Sequence, residues 1–340
     1  MSIFSFLTEE IAIDLGTANT LIIHNDKVVV DEPSIVAMDR ASNEMIAVGG
    51  KAMQMHEKTH ENIKTIRPLK DGVIADFDAA ENMIRGMIKM IQFGNRFFTP
   101  SIKMVICIPS NITEVEKRAV KDSAEHAGAS EVYLIHEPMA AAIGIGLDVS
   151  EPMGNLIIDI GGGTTDIAVI ALSGIVCNQS IRIAGDEFTA DIIDYVRKQH
   201  NMLVGERTAE SIKIKIGAAM QELDEVPEDI PVNGRDLMTG IPKQVMISYS
   251  ETAQALDKSI AKIEEAVLKA LESTPPELAS DIYKKGLYLT GGGALLRGLD
   301  VRISKKTKLP VHIADDPLRA VVRGTGITLK NINNYPFLMK

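Results

Sequence analysis

Short apolar runs rich in β-branched residues alternate along this chain with longer stretches whose apolar positions recur every three or four residues. The first pattern predicts strands and the second amphipathic helices. Runs at 28–30, 104–108, 132–135, 245–248 and 287–290 are the clearest strands. Residues 113–127 predict a helix that opens with a Thr-x-x-Glu capping box, Thr113 and Glu116, and stops at Gly128. Ala253, Leu256, Ile260, Ile263, Val267 and Leu271 share helical spacing, and Ser273-Thr274-Pro275-Pro276 closes that helix. Two further helices are predicted at 187–199 and 209–220, joined by a short polar connection. Strands alternating with helices define an α/β class with partly parallel sheets.

One local design occurs twice. IAIDLGTANT at 11–20 returns as LIIDIGGGTT at 156–165. Each copy has an apolar run, an Asp, an apolar residue, Gly, then small and hydroxyl residues ending in Thr. Each continues into another apolar segment, 21–23 and 167–170, so each reads as strand, tight turn, strand. The repetition predicts a duplicated core.

Composition narrows the function classes. The chain has 340 residues, 45% of them apolar and 24% charged, which suits a two-domain globular protein. With 36 basic and 46 acidic residues the net charge is −10, which argues against a general nucleic-acid binder. Nucleotide binding stays open, because backbone amides supply most of such a site. Cys107 and Cys177 lie in apolar runs and read as buried thiols in a reducing cytosol. No run reaches the roughly 18–20 apolar residues that span a bilayer, and residues 1–10 lack the basic residues of a signal peptide.

Three glycine-rich turns carry the candidate chemistry: Asp14 to Thr20, Asp159 to Asp166, and Thr290 to Ala294. Glycine lets backbone N–H groups approach a phosphate, and Thr and Asn side chains add donors. An Asp at each strand end can hold a hydrated divalent cation, since Mg²⁺ keeps several waters and takes few carboxylates. Two such hairpins facing each other would grip a phosphate tail from both sides. No G-x-x-x-x-G-K-[ST] run is present, so the pattern is not a P-loop.

With these turns the chain resembles the actin, heat-shock chaperone and sugar kinase ATPase superfamily. Longer segments narrow the resemblance to bacterial actin homologues of the MreB and Mbl type. They include IDLGTANTLI, KTIRPLKDGVIADFDAAENMI, HEPMAAAIGIGL, IIDIGGGTTDIAVIALSGIV, GERTAESIKIKIGAA, STPPELASDIYKKGLYLTGGGALLRGLD and DDPLRAVVRGTG, covering most of residues 11 to 327. The resemblance implies an actin-like ATPase fold of two duplicated ribonuclease H-like lobes around a nucleotide cleft. The first lobe would be 1–145 plus 315–340, with a small subdomain near 33–66. The second would be 146–314, with one near 182–242.

It also implies ATP or ADP with Mg²⁺ as cofactors, and residue roles for this chain. Gly16, Thr17, Ala18, Asn19, Gly161, Gly162, Gly163 and Thr164 would bind phosphates, with Asp14 and Asp159 organising Mg²⁺ largely through water. Gly185, Glu206, Arg207, Thr208, Ala209, Glu210 and Lys213 would lie near ribose and adenine, and Gly291, Gly292, Gly293 and Ala294 would complete the purine side. Glu137 would position the attacking water with Thr164 as partner, and Asp159 would join them as a catalytic residue. The plainer readings are a helix-entry carboxylate for Glu137, a solvated lysine for Lys213 and a hairpin cap for Asp166. His136 stands where the resemblance leads one to expect an acidic residue, and reads as a surface histidine. Residues 53–60 diverge as well, in the region of filament contacts rather than nucleotide chemistry.

The implied protein is a weak ATPase that forms homopolymers, as paired protofilaments. It would be cytoplasmic and peripheral on the inner face of the cytoplasmic membrane, where it sets rod shape with membrane proteins of the cell-elongation machinery. Ile3, Phe4, Phe6 and Leu7, with Phe93, Phe97 and Phe98 in a Gly-Asn loop, are the apolar groups expected to meet lipid. A chaperone would need a further substrate-binding region, whereas this sequence ends soon after Gly326. A small-molecule kinase would need an acceptor pocket that nothing in the sequence marks.

Overall fold

The structure is a computed structural model that describes residues 8–91 and 101–340. Two compact units divide the chain. One is Met1–Met153 with Ile170–Val176 and Leu318–Lys340; the other is Gly154–Val169 with Cys177–Pro317.

The first unit runs through β1 (Thr8–Leu15), β2 (Asn19–His24), β3 (Lys27–Pro33), β4 (Val36–Asp39), β5 (Met45–Val48), α1 (Gly50–Met55), β6 (Ile63–Ile66), β7 (Leu69–Lys70), β8 (Val73–Ile74), α2 (Phe77–Ile88), β9 (Ser101–Ile108), α3 (Glu114–His126), β10 (Ala129–His136) and α4 (Glu137–Gly144). Its main sheet has the order β10-β9-β1-β2-β3, and a small sheet has the order β5-β4-β6. β1 pairs antiparallel with β2 and parallel with β9, which in turn runs parallel to β10. The carboxyl ends of β1, β9 and β10 therefore lie side by side, the place where open α/β sheets bind ligands.

The chain continues, in the second unit apart from 170–176, with β11 (Asn155–Ile160), β12 (Thr165–Ala171), β13 (Gly174–Ile181), α5 (Gly185–His200), β14 (Met202–Leu203), α6 (Glu206–Ile216), β15 (Ile230–Asp236), β16 (Pro242–Ile247), α7 (Tyr249–Glu272), α8 (Pro276–Lys285), β17 (Leu287–Thr290), α9 (Leu299–Thr307) and β18 (Val311–Ile313). The order β13-β12-β11-β17-β18 repeats the plan of the first sheet, and β14-β15-β16 form a small antiparallel sheet. Every residue of β11 and β12 is buried, as their near-continuous apolar runs require of strands covered on both faces.

A last helix, α10 (Ala320–Lys330), returns to the first unit and packs on α4. The two backbones touch: a Cβ on Gly144 would stand 1.8 Å from the Ala320 carbonyl oxygen, and one on Gly324 would stand 1.7 Å from that of Ala140. With no side chain at either contact, α4 is held in one position, and so is the residue that opens it, Glu137.

The α3 capping box forms as the sequence predicts, with Thr113 as N-cap and Glu116 reaching back to it. Two expectations are corrected. The helix predicted to Met220 stops at Ile216, because Gly217 turns to φ −57°, ψ 132°. A Cβ there would lie 2.2 Å from the Lys213 carbonyl oxygen, and the apolar Ala218-Ala219 run is core without being helix. The polar connection before that helix contains β14, which pairs Met202 and Leu203 with Asp236 and Arg235.

Candidate functional site

The β1–β2 hairpin places Asp14 at the end of a buried strand, half-buried itself. Ile13 pairs with Ile106 across the parallel β1–β9 register, so Asp14 faces Cys107. The Cys107 thiol donates to Asp14 Oδ1 at 3.0 Å. Burial pushes the Asp14 carboxyl up to about 6, and the thiol hydrogen bond only partly offsets it. Burial, then the charges of Asp14 and Glu137, push the Cys107 thiol well above its usual range, so it remains a donor.

The turn that follows is braced from outside. Ser34 Oγ donates to the Gly16 carbonyl at 2.6 Å and shares a 2.8 Å hydrogen bond with Thr20 Oγ1. The Ser34 amide donates to the Ala18 carbonyl at 2.9 Å, and the Gly72 amide donates to Thr17 Oγ1 at 2.9 Å. Gly16 is required by crowding, since a Cβ would come 2.6 Å from the Asn19 carbonyl oxygen. Asn19 is exposed and Ala18 half-exposed, so the tip of the turn is open to a ligand.

In the second unit, β11 pairs Asp159 with Thr290 of β17, again on parallel strands. Thr290 Oγ1 donates to the buried Asp159 carboxylate at 2.9 Å. Main chain closes this turn: the Gly161 amide donates to the Thr164 carbonyl at 2.9 Å. The first amides of α5 complete it, Gly185 to the Gly161 carbonyl at 3.1 Å and Asp186 to the Gly162 carbonyl at 2.8 Å. The third turn packs on the same strand end. Gly291 has φ +77°, and a Cβ there would lie 2.4 Å from the Ile160 carbonyl oxygen and 2.6 Å from Asp159 Oδ1. Gly293 would strike the Ile160 side chain at 2.2 Å, so both positions demand glycine. Gly292 is exposed and Ala294 buried.

Lys213 is not a solvated lysine. Its Nζ donates to the Gly185 carbonyl at 2.8 Å and to Thr189 Oγ1 at 3.1 Å, and pairs with Glu210 at 2.7 Å. The Thr189 hydroxyl lies 2.6 Å from Glu210 as well. The lysine thus ties α6 to the α5 end that supports the second turn. At the start of α6, Glu206 and Thr208 are half-buried and Arg207 is exposed, whereas Ala209 packs into the core.

Glu137 opens α4 directly after β10, half-buried, with Pro138 behind it. Register places Ile135 beside Cys107 and His136 beside Ile108, so Glu137 follows the strand end next to Cys107. His136 is half-buried rather than a surface residue, with Nδ1 3.3 Å from the Pro109 carbonyl. Asp166 is fully buried inside β12. Cys177 is only half-buried, 3.6 Å from the Ala270 carbonyl, while Cys107 is buried.

Ser34 and Gly72 were given no role by the sequence, Cys107 was read only as a buried thiol, and Thr290 was named only as the start of the third turn. Thr290 had a usable signal, since it directly precedes the third glycine run. The other three are joined to the first turn only by the fold. Ile3, Phe4, Phe6, Leu7, Phe93, Phe97 and Phe98 lie outside the described residues. Among the described residues no helix is long and apolar enough to cross a membrane, and no group of three or more His, Cys, Asp or Glu side chains could hold a metal ion. Asp14 and Asp159 each offer a carboxylate at a strand end, a donor set that suits a cation retaining most of its water.

The fold as a whole has counterparts among known proteins. The crystal structure of MreB 5 of Spiroplasma citri bound to AMPPNP superposes with a TM-score of 0.90 at 39% identity, covering 96% of this chain and 97% of that one. The chain therefore has the actin-like ATPase fold. The cell shape-determining protein MreB of Escherichia coli (strain K12) is 50% identical over 333 residues, 96% of this chain and 95% of its own. The cell shape-determining protein Mbl of Bacillus subtilis (strain 168) is 46% identical over 328 residues, 96% and 97% of the two chains. The MreB/Mbl protein family model matches residues 8–336, and the chain belongs to that family of actin-like, cell shape-determining proteins.

Proposed function

We propose that this protein binds and slowly hydrolyses ATP, and that the nucleotide controls its assembly into filaments of paired protofilaments. The observation that carries the reading is the repeated arrangement of Asp14 and Asp159. Each lies at the end of a strand beside a parallel neighbour and precedes a glycine turn. AMPPNP in the Spiroplasma citri relative supports the same ligand class here. Gly16 to Asn19 and Gly161 to Thr164 take the phosphates. Gly185, the start of α6 and Gly291 to Ala294 take the nucleoside.

Asp14 and Asp159 would hold Mg²⁺, largely through its waters, and the ion would supply neutralisation of phosphate charge. The protein's own part is placement, since phosphoryl transfer to water needs alignment more than covalent chemistry. Glu137, fixed by the α4–α10 contact, orients the attacking water with Thr164 as its partner.

Sedimentation with and without MgATP tests the reading directly. Polymer should appear with MgATP, and Asp159→Ala, still folded, should lose both Mg²⁺-dependent binding and polymer. Normal hydrolysis by the folded variant would overturn the assignment.

The location proposed is the inner face of the cytoplasmic membrane, beside membrane proteins of the elongation machinery. Apolar insertion by residues 3–7 and 93–98 would carry the attachment, because Arg96 is the one basic residue in those segments. Burying a large apolar side chain contributes roughly 1.5–3 kcal/mol, so one subunit binds reversibly and a filament binds by avidity. Polar replacement of Phe4, Phe6, Phe97 and Phe98 together should release filaments from floated liposomes while leaving polymerisation intact. Equal binding by unpolymerised protein would refute the avidity argument.

A further inference from the structure

The two hairpin aspartates share a feature that their local sequences do not encode. Each carboxylate accepts a hydrogen bond at Oδ1 from the strand that runs parallel beside it. Thr290 Oγ1 is the donor to Asp159 at 2.9 Å, and Cys107 Sγ is the donor to Asp14 at 3.0 Å. The registers correspond: Asp159 pairs with Thr290, while Ile13 pairs with Ile106, which puts Cys107 next to Asp14. We infer that Cys107 is a positioning residue, whose thiol holds Asp14 Oδ1 against β9 as the Thr290 hydroxyl holds Asp159 Oδ1 against β17.

The fold gives this thiol a particular place. β9 is the middle strand of β10-β9-β1, so Cys107 has Asp14 on one side and the β10 end leading to Glu137 on the other. A lysine or arginine there would pair with a carboxylate and compete with a bound cation. A third carboxylate would repel both. A thiol is small, tolerates burial and donates one weak hydrogen bond without bringing a charge. It therefore restrains Asp14 while leaving both carboxylates anionic toward a cation.

The inference rests on the proposed nucleotide function, and the experiment separates the two. Cys107→Val and Cys107→Thr have nearly the same shape and differ in one hydroxyl. Affinity for a fluorescent ATP analogue is measured as magnesium chloride is raised from zero, with thermal unfolding in parallel. Cys107→Val should keep magnesium-free affinity and fold, yet need on the order of 10-fold more magnesium for half of the tightening, the scale of one hydrogen bond to a charged group. Cys107→Thr should restore wild-type dependence to within about 3-fold, a rescue that packing alone would not give.

The wild-type fold supplies an independent reading. In a Cys177→Ser background, the S–H stretching band of Cys107 should sit below that of a free thiol and move back in Asp14→Asn. An undisplaced band, or a folded Cys107→Val with wild-type magnesium dependence, would overturn the inference while leaving the nucleotide reading intact. Wild-type protein whose analogue binding ignores magnesium would overturn both.

Discussion

The two glycine hairpins share one ten-residue design, with four identical positions, and are held in place by different means. The β11–β12 turn is closed by main chain: its own Gly161–Thr164 bond, then the first amides of α5, which Lys213 anchors through the Gly185 carbonyl. The β1–β2 turn adds side-chain hydroxyls to its main-chain bonds: the Ser34 amide holds the Ala18 carbonyl, Ser34 Oγ meets Gly16 and Thr20, and Thr17 lies under the Gly72 amide. The aspartates differ likewise, one buried under a threonine hydroxyl and one half-buried under a thiol. Side-chain hydrogen bonds can exchange partners when a ligand arrives, whereas a helix terminus seated on carbonyls cannot move without losing the helix start. If both hairpins hold phosphate as proposed, the duplicated motif yields one fixed grip and one adjustable grip, and the adjustable one shares its unit with Glu137.

The largest effect should come from that asymmetry of chemistry. Glu137→Ala should lower turnover by about 10²-fold or more while keeping ATP affinity, because a positioning group is lost and no binding group is. Filaments should then persist longer after ATP is supplied. Single-turnover hydrolysis alongside equilibrium binding checks this; lost affinity with an unchanged rate per bound nucleotide would make Glu137 structural.

Next comes the matched glycine pair. Gly16→Ala forces a Cβ to 2.6 Å from the Asn19 carbonyl oxygen, backbone that cannot swing aside. Gly161→Ala meets the Thr164 carbonyl oxygen at 3.4 Å, an ordinary contact. Overpacking of the first kind costs about 1–3 kcal/mol, and the second substitution should stay within about 0.5 kcal/mol. Urea unfolding of the two variants measures the difference. Equal losses would mean that the hairpins are equally crowded and the contrast between them is wrong.

Both hairpins were legible in the sequence because everything that forms them is local: apolar run, Asp, Gly, hydroxyls. The Thr113–Glu116 box was legible for the same reason. What holds the hairpins was not, since Ser34 and Gly72 reach Gly16 and Thr17 only after the chain has folded back on itself, and Cys107 meets Asp14 only across a strand register. Lys213 shows the same limit. Helical spacing placed it on an amphipathic surface, and the neighbouring helix α5 turned that surface into an interior contact. The two-residue strand β14 has no periodicity to read, and the helix end at Gly217 was masked by the apolar Ala218-Ala219 that follows.

The braces themselves give smaller effects of two kinds. Ser34→Ala removes the hydroxyl from the Gly16 carbonyl, and Lys213→Met removes the ammonium from the Gly185 carbonyl. Each should cost about 1–2 kcal/mol of stability. The binding signatures should differ: Ser34→Ala should alter the difference in affinity between ADP and an ATP analogue, because the adjustable turn has lost its partner. Lys213→Met should weaken both nucleotides alike. Titration calorimetry with the two nucleotides decides it, and the same pattern in both variants would erase the distinction between grips.

The smallest effect compares the capping boxes of the two units. Thr113 and Glu116 open α3 at the surface, whereas Ser248 and Glu251 open the 24-residue α7 with His200 added to the pair. Glu251 accepts from the Ser248 amide at 2.8 Å, the Ser248 hydroxyl at 3.0 Å and His200 Nε2 at 2.6 Å. Burial works against its charge, but the Ser248 amide and His200 prevail and hold it below the usual carboxylate range. A folded pKa below the unfolded one means the carboxylate stabilises the native state fully above the unfolded value, about 4.3, and loses that contribution as pH falls through the folded value. Glu251→Gln keeps an acceptor for the box and removes the titration. The gap in unfolding free energy between wild type and Glu251→Gln should be less than the roughly 1 kcal/mol of a whole cap, be present at pH 5, and shrink at lower pH. A gap that stays the same through pH 4 and below would show that the charge of Glu251 contributes nothing, and that His200 adds only packing to α7.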